Sequence, residues 1–98
     1  MIGQVVFTPD ARAELIAAQA WYNRKVNGLG RQFRDEIDYQ VARIAAGPMR
    51  FPEVMTGVRR ARLRQFPYGL FFQVTPDALV IVACFHSSRE PVVWRNRI

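Results

Sequence analysis

Arginines at alternate positions of one predicted strand are the residues that most directly suggest chemistry. Arg60, Arg62 and Arg64 alternate with Ala61 and Leu63, and alternation along a strand sends the three arginines to one face of a sheet. A guanidinium is a planar fork that binds carboxylate or phosphate through two hydrogen bonds. The pattern favours an anion-binding strip. Its alternative is a solvated face of a sheet that packs on helices with its other side.

A second group of arginines lies near the end of the chain, at Arg89, Arg95 and Arg97. Arg89 follows the last predicted strand, so we expect it at one end of the sheet, where it would extend the strip. Residues 1–58 carry seven basic and six acidic side chains, whereas residues 59–98 carry seven basic and two acidic. This uneven charge indicates an anionic partner, either nucleic acid or an acidic protein segment.

His86 is the only histidine and Cys84 the only cysteine. Neither a pair of histidines nor a cluster of cysteines is available for zinc, so we predict no metal and no cofactor. We interpret Cys84 as a small core residue in a reducing compartment. His86, followed by Ser87 and Ser88, is either a hydrogen-bonded residue that closes a strand or a general acid, and the first interpretation is favoured.

Capping residues bound two predicted helices. Thr8-Pro9-Asp10 is typical of a helix start, Asn27-Gly28 of a helix end, and Gly47-Pro48 ends a second helix that begins near Leu29-Gly30. Apolar residues recur at helical spacing in both segments: Ala11, Leu15, Ala18 and Tyr22 in the first, and Phe33, Ile37, Val41 and Ile44 in the second. The sequence therefore predicts an αα-hairpin.

Four strands are predicted around this hairpin, at Gln4–Thr8, Arg59–Phe66, Leu70–Thr75 and Leu79–His86. Turns at Pro67-Tyr68-Gly69 and Pro76-Asp77 join the last three strands. The final strand is apolar on both faces, with Leu79, Ile81, Ala83 and Phe85 on one and Val80, Val82 and Cys84 on the other. A strand of this kind is expected at the centre of a sheet that is covered on both sides.

The elements predict one α+β domain over residues 1–98, in which an N-terminal strand and an αα-hairpin pack on a mainly antiparallel sheet of about four strands. Two helices cover only one face of a sheet, so we expect an exposed apolar groove on the other face. The longest apolar run, Ala78–Phe85, is too short to span a membrane. No secretion signal is visible at the N-terminus, which favours the cytoplasm.

Several short motifs then occur in an order typical of one toxin superfamily. They are Ala20-Trp21-Tyr22, Gly28-Leu29-Gly30 with Phe33, Phe51-Pro52, Arg59-Arg60, Phe66-Pro67-Tyr68, and His86-Ser87-Ser88-Arg89-Glu90-Pro91 with Trp94 and Arg97. Together with the β-α-α-β-β-β order, they make nearly the whole chain resemble the RelE/ParE superfamily, the toxins of type II toxin–antitoxin (plasmid stabilisation) modules. The succession of His, Arg, acidic residue, Pro and Trp is more similar to the ParE side.

The resemblance implies a small intracellular toxin that causes growth arrest and is held inactive in a complex with a protein antitoxin. Operator DNA would be reached only through the antitoxin. ParE-like members inhibit DNA gyrase by binding, without catalysis, whereas RelE-like members cut mRNA in the ribosomal A site. The resemblance therefore favours a gyrase inhibitor that is not an enzyme.

Two alternatives stay open. In a ribosome-dependent mRNA endonuclease, His86 would be the general acid, Arg62 or Arg89 would stabilise the phosphorane, and Glu53 would be the base. RelE-like nucleases usually carry a lysine-rich patch or a catalytic Tyr or His near the C-terminus, whereas Lys25 is the single lysine here, and this difference argues against cleavage. The other alternative is a non-toxic basic module that merely binds nucleic acid or protein.

Overall fold

Local capping residues determine where the two helices begin and end. In the computed structural model, which describes residues 4–88, helix α1 spans Pro9–Lys25 and helix α2 spans Leu29–Ala46. The Thr8 hydroxyl accepts a hydrogen bond from the Ala11 N–H at 3.2 Å, as expected of an N-cap. Gly28 joins the helices with φ at 91°, a conformation that favours glycine. The predicted αα-hairpin is confirmed.

The two helices are in close contact at Gly30 of α2. A Cβ atom at this position would lie 2.6 Å from the Gln19 carbonyl oxygen and 2.8 Å from the Asn23 Cβ of α1. Only glycine allows this approach, because both distances are shorter than real contacts of a Cβ atom. Within residues 4–88, no helix has the length and apolar character that crossing a membrane requires.

Five strands form a single mixed sheet. They are β1 (Val5–Phe7), β2 (Glu53–Met55), β3 (Val58–Arg62), β4 (Tyr68–Val74) and β5 (Leu79–His86), and a short 3-10 helix, Pro48–Arg50, precedes β2. The strand order is β1-β5-β4-β3-β2, with β1 parallel to β5 and the other pairs antiparallel. The α+β class and the interior position of β5 are confirmed. The sheet has five strands instead of about four because β2 turns back onto β3 at Gly57.

Strand β3 is shorter than the predicted Arg59–Phe66. It ends at Arg62, and a bend follows in which the Leu63 N–H bonds the Tyr68 carbonyl at 2.9 Å. Phe66 is 8% exposed, and its ring packs 4.8 Å from the ring of Tyr22. Burial of this aromatic ring against the helices outweighs the alternation, so the predicted position of Arg64 on one strand face with Arg60 and Arg62 was wrong.

A bulge in β5 also changes which residues share a face. The register with β4 shifts between Phe71 and Phe72, whose partners are Ala83 and Ile81, so Val82 is an extra residue. Residues beyond the bulge are displaced by one position. Leu79, Ile81 and Cys84 therefore belong to the core under the helices, whereas Val82, Ala83 and Phe85 form a second cluster with Val58. The predicted face assignment of Ala83, Cys84 and Phe85 was wrong.

The second cluster lies on the sheet face that is opposite to the helices, which we call the outer face. Val58 and Ala83 are fully buried there, and Val82 and Phe85 are 3% and 2% exposed. The expected exposed apolar groove on this face is therefore wrong for these residues. Among residues 4–88, the large apolar side chains that are exposed lie instead on or next to the helices: Ile16, Trp21, Val26, Tyr39 and Met49.

Candidate partner-binding site

The arginines in and after strand β3 lie in different environments. Arg59 donates from Nη1 to the Phe51 carbonyl at 2.6 Å. This hydrogen bond stabilises the segment that precedes β2. Arg64 lies beyond the end of β3 and forms an ion pair with a residue of α2. Only Arg60 and Arg62 remain together on one face of the strand. The structure therefore divides the predicted strip of Arg60, Arg62 and Arg64.

Arg64 ties the bend after β3 to helix α2. The Glu36 carboxylate accepts hydrogen bonds from both the backbone N–H and the Nε of Arg64, each at 2.9 Å, and from the Gln40 amide at 3.4 Å. The guanidinium of Arg64 also lies 3.8 Å from the ring centroid of Tyr39. Because its partner Glu36 is buried, this arginine has a structural role that alternation did not predict.

These contacts change the protonation of Glu36. Burial by itself would raise the pKa of this carboxyl, but the hydrogen bonds from Arg64 and Gln40 and the charge of Arg64 together hold its pKa below the ordinary value. The carboxylate is therefore the form that the folded protein favours. A buried charge of this kind is tolerated because several donors surround it.

Arg60 is half-buried on the outer face. Its stem passes beside Gly69 of the neighbouring strand, where a Cβ atom would lie 3.4 Å from Cγ and 3.5 Å from Cδ of Arg60. Its Nε is buried and has no hydrogen-bond partner. Arg62, two residues further along the same face, is exposed. Arg60 and Arg62 therefore occupy alternate positions on the outer face of β3.

His86 closes strand β5, as the favoured interpretation predicted. Its Nδ1 accepts a hydrogen bond from the Ser88 N–H at 3.1 Å and lies 2.8 Å from the Ser88 hydroxyl oxygen. Its ring packs edge-on against Tyr68 with 5.3 Å between the ring centroids. These contacts fix the orientation of the His86 ring at the end of β5.

A cleft opens between α1 and the sheet beside His86. It has a volume of about 430 Å³ and is lined by Glu14, Ala17, Ala18, Trp21, Tyr68, Cys84 and His86. Trp21 is 48% exposed at its rim. A second groove, between α1 and α2, has about 420 Å³ and is lined by Ile16, Gln19, Ala20, Asn23, Gly30 and Arg31. We call these the sheet cleft and the hairpin groove, and α1 separates them.

Three residues of the predicted nuclease site, Glu53, Arg62 and His86, are not brought together. Glu53 accepts a hydrogen bond from the Gly57 N–H at 3.0 Å, so its carboxylate stabilises the turn between β2 and β3. Arg62 lies on the outer face, whereas His86 lines the sheet cleft on the helix side, with β4 between their strands. Arg89, Arg95 and Arg97, which were predicted to extend the basic surface, lie outside the described residues.

Sequence reasoning missed two carboxylate contacts, one of the buried Glu36 and one of the half-buried Glu14. Glu36 occupies the apolar stripe of α2 between Phe33 and Ile37, and a charged residue on a buried stripe is a signal for a fixed partner. Glu14 accepts a hydrogen bond from the Cys84 N–H at 3.0 Å. Burial, with the charge of Glu14, raises the pKa of the Cys84 thiol to about 12, so the thiol is protonated at neutral pH and is a poor nucleophile.

Comparisons with known proteins agree with one another. The sequence model of the ParE toxin of type II toxin–antitoxin system, parDE, matches residues 5–91. A solved structure described as the chromosomal ParDE TA system from P. aeruginosa is similar in fold, with a TM-score of 0.76 and 20% sequence identity. The similarity covers 87% of this chain and 96% of that chain. A search of curated proteins found no match.

Proposed function

Because this chain belongs to the family of ParE toxins of type II toxin–antitoxin systems, we propose that it arrests growth by binding and inhibiting DNA gyrase and that a protein antitoxin neutralises it. The observation that carries binding over cleavage is the separation of Glu53, Arg62 and His86. General acid–base catalysis requires the acid, the base and the charge-stabilising group within hydrogen-bond reach of one substrate. Here the three side chains belong to different strands and to both faces of the sheet.

The contacts of His86 further support a structural role for this residue. The Ser88 N–H lies 3.1 Å from the His86 Nδ1, and the His86 ring packs edge-on against Tyr68. The side chain therefore orders the turn after β5.

The surface of α1 supports an antitoxin partner. Ile16 and Trp21 are 55% and 48% exposed, and they line the hairpin groove and the sheet cleft respectively. The sheet cleft and the hairpin groove, each with one large apolar side chain at α1, offer anchoring points for a polypeptide segment that crosses or follows this helix. We propose that the antitoxin covers α1 in this way and that the complex forms in the cytoplasm.

One experiment separates gyrase inhibition from mRNA cleavage. Expression of the chain is induced in cells, and DNA supercoiling and mRNA cut sites are followed in the same culture, with and without the antitoxin. The proposal expects loss of supercoiling, intact mRNA, and rescue of growth by the antitoxin. Purified gyrase that is inhibited by the purified chain would connect the effect to direct binding. New mRNA cut sites at unchanged supercoiling would instead identify a ribosome-dependent nuclease.

A further inference from the structure

Arg60 is exceptional among the arginines around β3 because part of its guanidinium is buried without an acceptor. Its Nε has no hydrogen-bond partner, whereas Arg59 bonds the Phe51 carbonyl and Arg64 bonds Glu36. A buried N–H group that lacks an acceptor is unfavourable, and native proteins leave few of them. A ligand that brings an acceptor within reach of this Nε would satisfy the unused donor.

The neighbouring strand holds Arg60 in a restricted position. Gly69 contributes no side chain, and a Cβ atom there would lie only 3.4 Å from the Arg60 Cγ. The stem of Arg60 therefore lies along the backbone of β4, where Gly69 is the register partner of Arg62. An arginine whose stem is already packed loses less conformational freedom when it binds a ligand.

The spacing of Arg60 and Arg62 along β3 suggests the shape of the ligand. Arg60 and Arg62 are two residues apart on one strand, so their Cα atoms are separated by roughly 6.6 Å. Alternate residues of another extended polypeptide have the same separation. We propose that Arg60 and Arg62 form a two-arginine clamp for an extended acidic segment of a partner protein, in which carboxylates at alternate positions bind the two guanidinium groups.

A carboxylate fits this clamp better than a nucleic-acid backbone does. A side-on carboxylate bonds Nε and one Nη of the same guanidinium, which would give the Arg60 Nε its missing acceptor after a small rotation of the group. Nucleic-acid interfaces use runs of cations along the backbone, but here the neighbouring Arg59 and Arg64 are engaged within the chain. The clamp therefore favours a ligand that has two carboxylates at this separation.

The inference rests on the proposed function insofar as that function supplies a protein partner, yet it is tested without gyrase or growth. The purified full chain is titrated with a short synthetic peptide that has Glu at alternate positions, at fixed ionic strength, and affinity is measured by calorimetry. The same peptide with Gln in place of Glu is the ligand control. We expect the Glu peptide to bind and the Gln peptide to bind at least about tenfold more weakly.

Protein variants locate the binding. Arg60→Gln and Arg62→Gln are expected to weaken binding of the Glu peptide by about tenfold or more each, and Arg60→Lys to weaken it too because lysine lacks the planar fork. Arg24→Gln, which removes one exposed charge from α1, is the matched control and is expected to change the affinity by less than about twofold. Arg60→Gln removes an unsatisfied donor, so its thermal unfolding should stay close to that of the parent chain.

Three results would overturn the clamp. Equal losses in the Arg24, Arg60 and Arg62 variants would show that only net charge matters. Equal binding of the Glu and Gln peptides would exclude carboxylate recognition. An oligonucleotide that binds with dependence on Arg60 and Arg62, when the Glu peptide does not bind, would assign the site to phosphate. None of these results bears on gyrase inhibition, which is measured separately by supercoiling.

Discussion

At the scale of single residues, the contact between Glu36 and the bend after β3 has the clearest consequence. The Glu36 carboxylate accepts hydrogen bonds from Arg64 and Gln40. The pKa of Glu36 in the folded protein is lowered from the ordinary value of 4.5. A lowered folded pKa means that the contribution to stability is present above the unfolded pKa and is lost as the pH falls through the folded pKa.

We therefore predict that the free energy of unfolding of Glu36→Gln falls less between neutral pH and acid than that of the parent chain does. At neutral pH the variant should be less stable by about 1–3 kcal/mol, because the charged acceptor of the Arg64 and Gln40 donors is gone. Below pH 4.5 the free energies of unfolding of variant and parent should converge. Urea unfolding between neutral pH and acid provides the measurement, with Asp38→Asn, which removes an exposed ion pair, as the control. A parallel shift of the two curves at every pH would contradict the role of Glu36.

His86 gives a second prediction at this scale, which separates binding from cleavage. His86→Gln should leave growth arrest and gyrase inhibition largely intact, since a glutamine oxygen is able to accept the bond from the Ser88 N–H. Removal of a general acid would slow RNA cleavage by roughly 10²–10⁴-fold and abolish a nuclease-dependent arrest. Growth curves after induction, together with supercoiling assays, decide the question. A variant that folds and binds the antitoxin but has lost toxicity would refute the binding mechanism.

The arginines show which part of the site the sequence predicted. Strand alternation correctly joined Arg60 and Arg62 on one face, because that rule needs only backbone geometry. It failed at Arg64, where a long-range ion pair to Glu36 and the burial of Phe66 decide the conformation. Contacts between residues 28 positions apart have no periodic signature, so the pairing of arginine and acid in space was not predictable from β3 alone.

At the scale of elements, helix bounds were predictable and strand details were not. Thr8, Gly28 and Gly47 end or begin helices through their own local chemistry, and the structure places the boundaries next to each of them. The bulge at Val82, in contrast, depends on how β5 pairs with β4. The sequence of β5 alone does not show that one of its residues will remain unpaired opposite β4.

The contact between α1 and α2 leads to a prediction about Gly30. Gly30→Ala should destabilise the chain by about 1–3 kcal/mol, because the added methyl group overlaps the Gln19 carbonyl oxygen and the helices must move apart. In an unobstructed helix the same change would stabilise by up to about 1 kcal/mol, so even the sign is informative. Thermal unfolding measures the effect, and Ala20→Gly at an exposed position of α1 is the control for propensity alone. A stabilised Gly30→Ala variant would mean that the helices are not in close contact there.

At the scale of the whole molecule, helices and strands divide the surface into two regions of different chemistry. The helix side offers two hollows of mixed lining around α1, the hairpin groove with Ile16 and the sheet cleft with Trp21. The outer face carries Arg60 and Arg62. A partner with an apolar part and an acidic part would satisfy both regions at once, and the gain from linking two weak contacts in one chain is large. The resemblance predicted a protein antitoxin and strand alternation predicted the arginine pair, whereas the two hollows around α1 became visible only in the structure.

The last prediction tests whether α1 is the apolar region that the antitoxin covers. Trp21→Ala should weaken antitoxin binding by about 2–4 kcal/mol, because a tryptophan at the rim of a pocket is a frequent anchor of an interface. Ile16→Ala in the hairpin groove should weaken antitoxin binding less, by about 1 kcal/mol. Met49→Ala is the matched control, since Met49 is 67% exposed and lines neither hollow. Calorimetry with the purified antitoxin gives the affinities, and unchanged melting temperatures exclude misfolding. If the three variants lose affinity equally, or none does, the antitoxin does not lie on α1, and the two hollows have no part in neutralisation.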